Sequence, residues 1–203
     1  MRDDMQHTVS DSAVPVALDD AVRALQAGLP VVFPTDTVYG LGVAVHAAHD
    51  CSQLYDIKKR PDGKPVAWLV GSIDDLARYG TDVPDWALDL ARAHWPGALT
   101  LIVRASDAVP RAFQSEEGTI GLRMPASDIA LALITACGCP LATTSANLSG
   151  STAPATYDEL EEAITHSVGA VIKGAVPSSG IASTVVDCTG KIPHVLRQGD
   201  VMI

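Results

Sequence analysis

No apolar run in this chain approaches the roughly 20 residues of a membrane-spanning helix, which argues against an integral helical membrane protein. The start, MRDDMQHTVSDSAVPV, is polar and acidic. It lacks the basic opening and apolar centre of a secretory signal and reads as a mobile tail on a cytoplasmic protein. Cysteine is scarce. Of the residues at 51, 137, 139 and 188 only Cys137 and Cys139 are close, with no second pair and no histidine at zinc spacing. Buried thiols in a reducing compartment are expected, not a metal site. The six histidines are scattered, with no H-E-x-x-H. Gly40-Leu41-Gly42 begins a G-x-G, but Val45 occupies the place of the third glycine of a dinucleotide fingerprint. Gly63-Lys64 and Gly190-Lys191 run into Pro65 and Ile192, so there is no P-loop, and there is no G-x-S-x-G elbow. These absences disfavour three large enzyme classes and leave phosphate binding by another arrangement open. Positive charge is also scarce. The net charge is −10 with five lysines, which argues against a general nucleic-acid-binding surface.

The 203 residues include 47% hydrophobic ones, enough for one substantial core. No repeat, linker or composition break divides them. The expected organisation is a flexible tail over 1–12 and a single domain over 13–203. Helical spacing predicts helices over 18–27, 50–58, 73–79, 84–94, 128–137 and 157–166, with Ser72 as the N-cap of the third and Pro84 in the first turn of the fourth. Strands are predicted over 30–33, 41–45, 66–70, 98–104, 119–123, 140–143, 168–172, 184–187 and 194–196. Several connections look too short for parallel crossovers. The expected fold is therefore α+β: a mixed, twisted sheet with helices packed against it.

Four polar clusters lie at strand ends or turns. The first is FPTDTVYGLG, Phe33 to Gly42, where an apolar strand opens into Thr35, Asp36, Thr37 and Tyr39. On its own this reads as a turn whose hydroxyls and carboxylate satisfy local backbone groups. The second is KKRPDGK, holding three of the five lysines, with Arg60 between. A mobile ammonium beside a fixed guanidinium fork suits a polyphosphate, although charge alone also fits a solvated turn. The third, ATTSANLSGSTAPAT (142–156), is dense in hydroxyls that can face phosphate oxygens, or is a plain polar loop. The fourth is dispersed: Arg123, Ser183-Thr184 and Arg197, at strand ends where arginine can clamp an anion or pair at the surface. Together they favour an anion-binding α/β enzyme.

These residues also carry a resemblance. PTDTVYGLG, Lys58-x-Arg60-Pro61 with Lys64-Pro65, Trp95-Pro96-Gly97-Ala98-Leu99-Thr100, Gly121-Leu122-Arg123-Met124-Pro125, Thr144-Ser145-Ala146-Asn147-Leu148-Ser149-Gly150, Ser183-Thr184-Val185-Val186-Asp187 and Leu196-Arg197-Gln198-Gly199 are similar, in order, to seven blocks of the YrdC/YciO family. Ala98 replaces the second proline of the family's P-G-P. The resemblance covers nearly all of the chain after the tail. It implies a twisted open mixed sheet of the YrdC/RibB-like type with helices around a concave cavity.

It also implies a reaction. L-threonine, bicarbonate and ATP, with Mg2+, give L-threonylcarbamoyl-adenylate and pyrophosphate. A tRNA threonylcarbamoyl-transfer machinery then passes the group to adenosine 37 of ANN-decoding tRNAs, and weak contact with tRNA itself is a further implied interaction. By resemblance Lys58 and Arg60 are catalytic. Lys58, Arg60, Thr119, Ser145, Asn147 and Arg197 contact ATP, and Thr35, Arg123, Thr143 and Ser183 contact threonine, Arg123 at its carboxylate. Longer relatives carry a second C-terminal domain, expected to be missing from a chain that ends soon after Arg197. Alternatives are a YciO-type protein of the same fold without synthase activity, an RNA-binding module, and a carbamoyl-adenylate reaction like that of hydrogenase-maturation carbamoyltransferases.

Overall fold

A computed structural model describes residues 17–59, 66–174 and 179–203. The expected tail over 1–12 and the basic-block residue Arg60 lie outside them. Helix α1 (Leu18–Gln26) turns Ala21, Ala24 and Leu25 inward at i, i+3, i+4 spacing, with Asp19 and Asp20 in the first turn, where the helix dipole favours negative charge. Then follow β1 (Val31–Phe33), β2 (Gly40–Ala44), α2 (Ser52–Lys58), β3 (Ala67–Leu69), α3 (Asp75–Tyr79), β4 (Gly80–Thr81) and α4 (Asp85–His94). The second half holds β5 (Leu99–Ala105), β6 (Thr119–Arg123), α5 (Asp128–Cys137), β7 (Leu141–Ser145), α6 (Glu162–Thr165), β8 (Ala170–Val171), β9 (Thr184–Asp187) and β10 (His194–Arg197). The boundaries of α5 and β6 match the expectation. Ser127 caps α5 by accepting from the Ala130 amide, and Gly138 closes it in the left-handed region.

The strands form one sheet in the order β10-β9-β5-β6-β3-β7-β2-β1-β8, with β4 beside β5. The β1–β8, β3–β6 and β5–β9 pairs are parallel and the other pairs antiparallel. This is the mixed sheet that the short connections called for. Helix α1 packs on α5 and against β1, β2 and β8, α2 rests on β2, and α4 on β5. Trp68 anchors the core under the sheet centre, edge-on to Tyr79 and Phe113 at 5.2 and 5.6 Å between ring centroids.

Three local expectations differ. Ser72 does not cap α3. The N-cap is Asp74, with no side-chain cap bond, and the Asp75 carboxylate fastens the entry by accepting from the Gly71 and Ser72 amides at 3.1 Å each. Pro84 is the N-cap of α4, one place before the first turn. The helix expected over 157–166 breaks into a 3-10 turn, Tyr157–Glu159, and the short α6. Two carboxylates explain the break. Glu159 turns back to the Ala155 and Thr156 amides, and Glu161 reaches across to the Leu148 amide, so Leu160 is left extended between them.

Candidate active site

Side chains of successive strand residues alternate between the faces of a sheet, so residues i and i+2 share one face. On β6 the pattern TIGLR puts Thr119, Gly121 and Arg123 on one face, and Ile120 and Leu122 go into the core. Thr100 and Ile102 on β5, Ala67 and Leu69 on β3, and Thr143 and Ser145 on β7 follow the same rule. All of these line a single concave cavity of about 480 Å³. Ser183 before β9, Arg197 on β10 and the 35–40 loop complete the wall. Of the ten residues proposed from sequence, eight line this cavity: Thr35, Thr119, Arg123, Thr143, Ser145, Asn147, Ser183 and Arg197. Lys58 lies behind the wall, and Arg60 is outside the described residues.

Glycine is needed where β2 crosses β7. A Cβ at Gly42 would come within 2.7 Å of the Thr143 hydroxyl, and one at Gly40 within 2.9 Å of the Thr143 methyl. The two glycines of the opening motif therefore leave room for Thr143 at the cavity floor. Close approach, and not an unusual backbone angle, is the reason for them.

The first wall is the Thr35–Tyr39 turn. The buried Thr35 hydroxyl donates to the Val38 carbonyl at 2.6 Å and accepts from the amides of Thr37 and Val38, which folds the turn on itself. Tyr39 pins the turn to a distant segment, donating from its phenol to the Gly174 carbonyl at 2.8 Å. Burial raises the pKa of that phenol above its ordinary value, so it stays a donor at neutral pH. Arg123 reaches the same turn from β6. Its Nε donates to the Gly97 carbonyl, one terminal nitrogen to the Thr37 hydroxyl at 3.0 Å, and the other to the Asp36 carboxylate at 2.6 Å.

The second wall is the 143–151 loop. The Lys58 ammonium is buried at the end of α2 and donates to the carbonyls of Ser145 and Asn147 at 2.5 and 2.6 Å, and to the Asn147 side chain at 3.2 Å. Asn147 in turn donates to the carbonyls of Leu148 and Ser151. Lys58, which the resemblance sets at ATP, thus shapes this loop from beneath.

At the third wall Arg197 grips the Ser183 carbonyl with two N–H groups at 3.0 and 2.8 Å, and the Ser183 hydroxyl pairs with Thr100 at 2.9 Å. A Cβ at Gly199 would sit 2.1 Å from the Ala182 carbonyl, so the chain after Arg197 can pass Ser183 only as glycine. Partial burial, and then the neighbouring Arg123 charge, pull the Arg197 guanidinium below the ordinary arginine value. Arg197 thus feels the Arg123 charge across the cavity, although Asp36 offsets part of it. Among the described lining residues there is no carboxylate, histidine or cysteine. Among the described residues generally, no group of three or more His, Cys, Asp or Glu is placed to hold a metal. The four cysteines form no disulfide, three being buried and Cys137 half-buried.

Reading motifs alone missed Thr37, Thr100 and Asp36. Thr100 had a signal: a hydroxyl between the apolar Leu99 and Leu101, two places before the cavity-facing Ile102. Asp36 stood out only as a polar residue of the first cluster, because its partner is 87 residues away.

The profile of the Sua5/YciO/YrdC family, described as telomere recombination, matches residues 23–199. A threonylcarbamoyl-AMP synthase of Pyrococcus abyssi is 35% identical over 179 residues, 88% of this chain and 53% of that protein. One of Bacillus subtilis is 34% identical over 182 residues, 89% of this chain and 53% of that protein. The chain spans about half the length of these two synthases. The crystal structure of P. abyssi Sua5 complexed with L-threonine superposes with a TM-score of 0.76 at 34% identity, covering 90% of this chain and 54% of that one. The crystal structure of Escherichia coli YciO gives 0.77 at 31% identity, covering 90% and 88%. No helix among the described residues is long and apolar enough to cross a membrane.

Proposed function

The chain belongs to the Sua5/YciO/YrdC family, and we propose that it is an L-threonylcarbamoyladenylate synthase, a nucleotidyltransferase supplying the threonylcarbamoyl group for tRNA modification. One observation carries this reading. Arg123 and Arg197, from different strands, face one cavity of about 480 Å³ whose described lining is rich in hydroxyls and free of carboxylates. Two anionic substrates that must be brought side by side, an amino acid and a nucleotide, fit that wall. The named similarity to threonylcarbamoyl-AMP synthases and to a threonine-bound Sua5 supports the choice of substrates.

In this reading the threonine amine and bicarbonate give the carbamate, an N–C bond forming as a C–O bond of bicarbonate breaks and water leaves. A carbamate oxygen attacks the α-phosphorus of ATP, a new P–O bond forms, the bond to the β-phosphate bridging oxygen breaks, and pyrophosphate leaves with that electron pair. Among the described lining residues there is no nucleophile with a neighbouring base, so in this reading the chemistry rests on positioning and charge. Arg123 takes the threonine carboxylate, with Thr35, Thr143 and Ser183 around it. Arg197, Ser145, Asn147 and Thr119 lie against ATP. Lys58 acts on ATP through the 145–147 loop that it holds, and Arg60 is assigned to the phosphate charge by the family resemblance alone. The described wall offers no carboxylate for a resident metal, so Mg2+ belongs to this site as the Mg–ATP substrate.

The test is mass spectrometry of protein incubated with ATP, threonine, bicarbonate and Mg2+. Threonylcarbamoyl-AMP and pyrophosphate are expected, and loss of both with Arg60→Ala. Wild-type protein that forms neither refutes the reading. The likeness to E. coli YciO favours a second one, the same fold binding its ligands without turnover. Retained threonine and ATP binding with no product would select it.

A further inference from the structure

Arg123 is 6% exposed, and a guanidinium that deep needs a counter-charge. Asp36 supplies it, with the two side chains only 8% and 11% accessible. The direction of approach is informative. Residues 35, 37, 38, 39 and 40 all line the cavity, while Asp36 does not. The ion pair is therefore made behind the cavity wall, not across its opening. Of the five N–H groups of a guanidinium, three are committed, to Asp36, Thr37 and the Gly97 carbonyl, which leaves two for a ligand.

We propose that Asp36 is a positioning residue for the carboxylate-binding site: it fixes the Arg123 plane from outside and so aims the two uncommitted N–H groups into the cavity. This rests on Arg123 taking the threonine carboxylate. A planar fork recognises a carboxylate only when its plane is set. Three bonds at three edges set it here, and the charged one is the shortest. The Thr35 turn is the scaffold for this clamp, since it places Asp36 and Thr37 on neighbouring nitrogens of one guanidinium.

The experiment compares binding of L-threonine with that of L-threoninol, which lacks the carboxylate, on the full chain, beside the KM for ATP. Asp36→Ala is expected to cut the preference for threonine over threoninol by about tenfold, and to move the ATP KM by less than about threefold, as loss of one charge-assisted bond predicts. Asp36→Asn keeps an acceptor of the same shape and is expected to fall between. An unchanged preference in Asp36→Ala, or equal losses for threonine and ATP, overturns the proposal. If Asp36→Ala does not fold, the same two ratios are read on Asp36→Asn. Wild-type protein that binds threonine without forming product refutes the synthase reading and leaves the preference to decide for Asp36. Wild-type protein that binds no threonine overturns both.

Discussion

Arg123 and Arg197 face the same cavity and are built in opposite ways. Arg123 lies on an inner strand, buried, neutralised by Asp36 and bonded at three nitrogens. Arg197 lies on the edge strand β10, keeps an outer face in solvent, has no carboxylate partner among the described residues and rests on Ser183 alone. One end of the cavity is rigid and nearly neutral; the other is looser and carries its charge in full. A small amino acid of fixed shape needs the first kind of surface. A polyphosphate whose charge redistributes during transfer needs the second.

The sharpest way to break this contrast is Arg123→Ala. It leaves Asp36 buried without its partner, and a loss of about 3–5 kcal/mol in denaturant unfolding is expected, with product formation down about 1,000-fold. A stability change near zero would mean that the pair is not the anchor described here. Next is Lys58→Met, which strands the Ser145 and Asn147 carbonyls at the loop between the two ends. About 2–3 kcal/mol should go, lowering the melting temperature by roughly 5–10 °C, and the ATP KM should rise more than the threonine KM. Equal rises would place Lys58 outside the nucleotide end.

Arg197→Ala tests the looser end directly. Stability should stay within about 0.5 kcal/mol of wild type, while the ATP KM rises about tenfold. A large loss of stability would erase the difference between the arginines. The smallest effect lies beyond β9, where burial pushes the Cys188 thiol up to about 12. The folded value is above the unfolded one of about 8.5, so this contribution is whole below that pH and is lost as pH rises toward the folded value. Cys188→Ala should therefore lose less stability than wild type between pH 8 and pH 10, by on the order of 1 kcal/mol. Parallel pH curves for the two proteins would count against it.

What could be read from the residues follows from the range of the forces involved. Thr119-Ile120-Gly121-Leu122-Arg123 showed its strand and its two faces, because alternation is a local property. The helix Asp128–Cys137 was legible with Gly138 as its stop, since helix ends are set within one turn, whereas its Ser127 cap came only with the structure. The helix expected over 157–166 failed where a long-range bond intervened: Glu161 answers to Leu148, which no local pattern encodes. The site divides likewise. Its hydroxyls and arginines were visible as residue types at strand ends. The inward turn of Lys58 onto Ser145 and Asn147, and the pairing of Asp36 with Arg123, depend on segments more than 80 residues apart. Thr35 lines the cavity, while the bonds by which its hydroxyl folds its own turn emerge only from the structure.

The sheet order also bears on how quickly the protein can acquire its native state. Val31 pairs with Ala170 and Leu99 with Thr184, so two parallel pairings must close long stretches of chain before their contacts repay the lost entropy. Such connectivity makes for slow folding. Thr35, on the loop after β1, and Arg197, on the partner strand of β9, meet at one cavity only after the β5–β9 closure. In a refolding experiment ligand binding should therefore be the last signal to return, well after the helices.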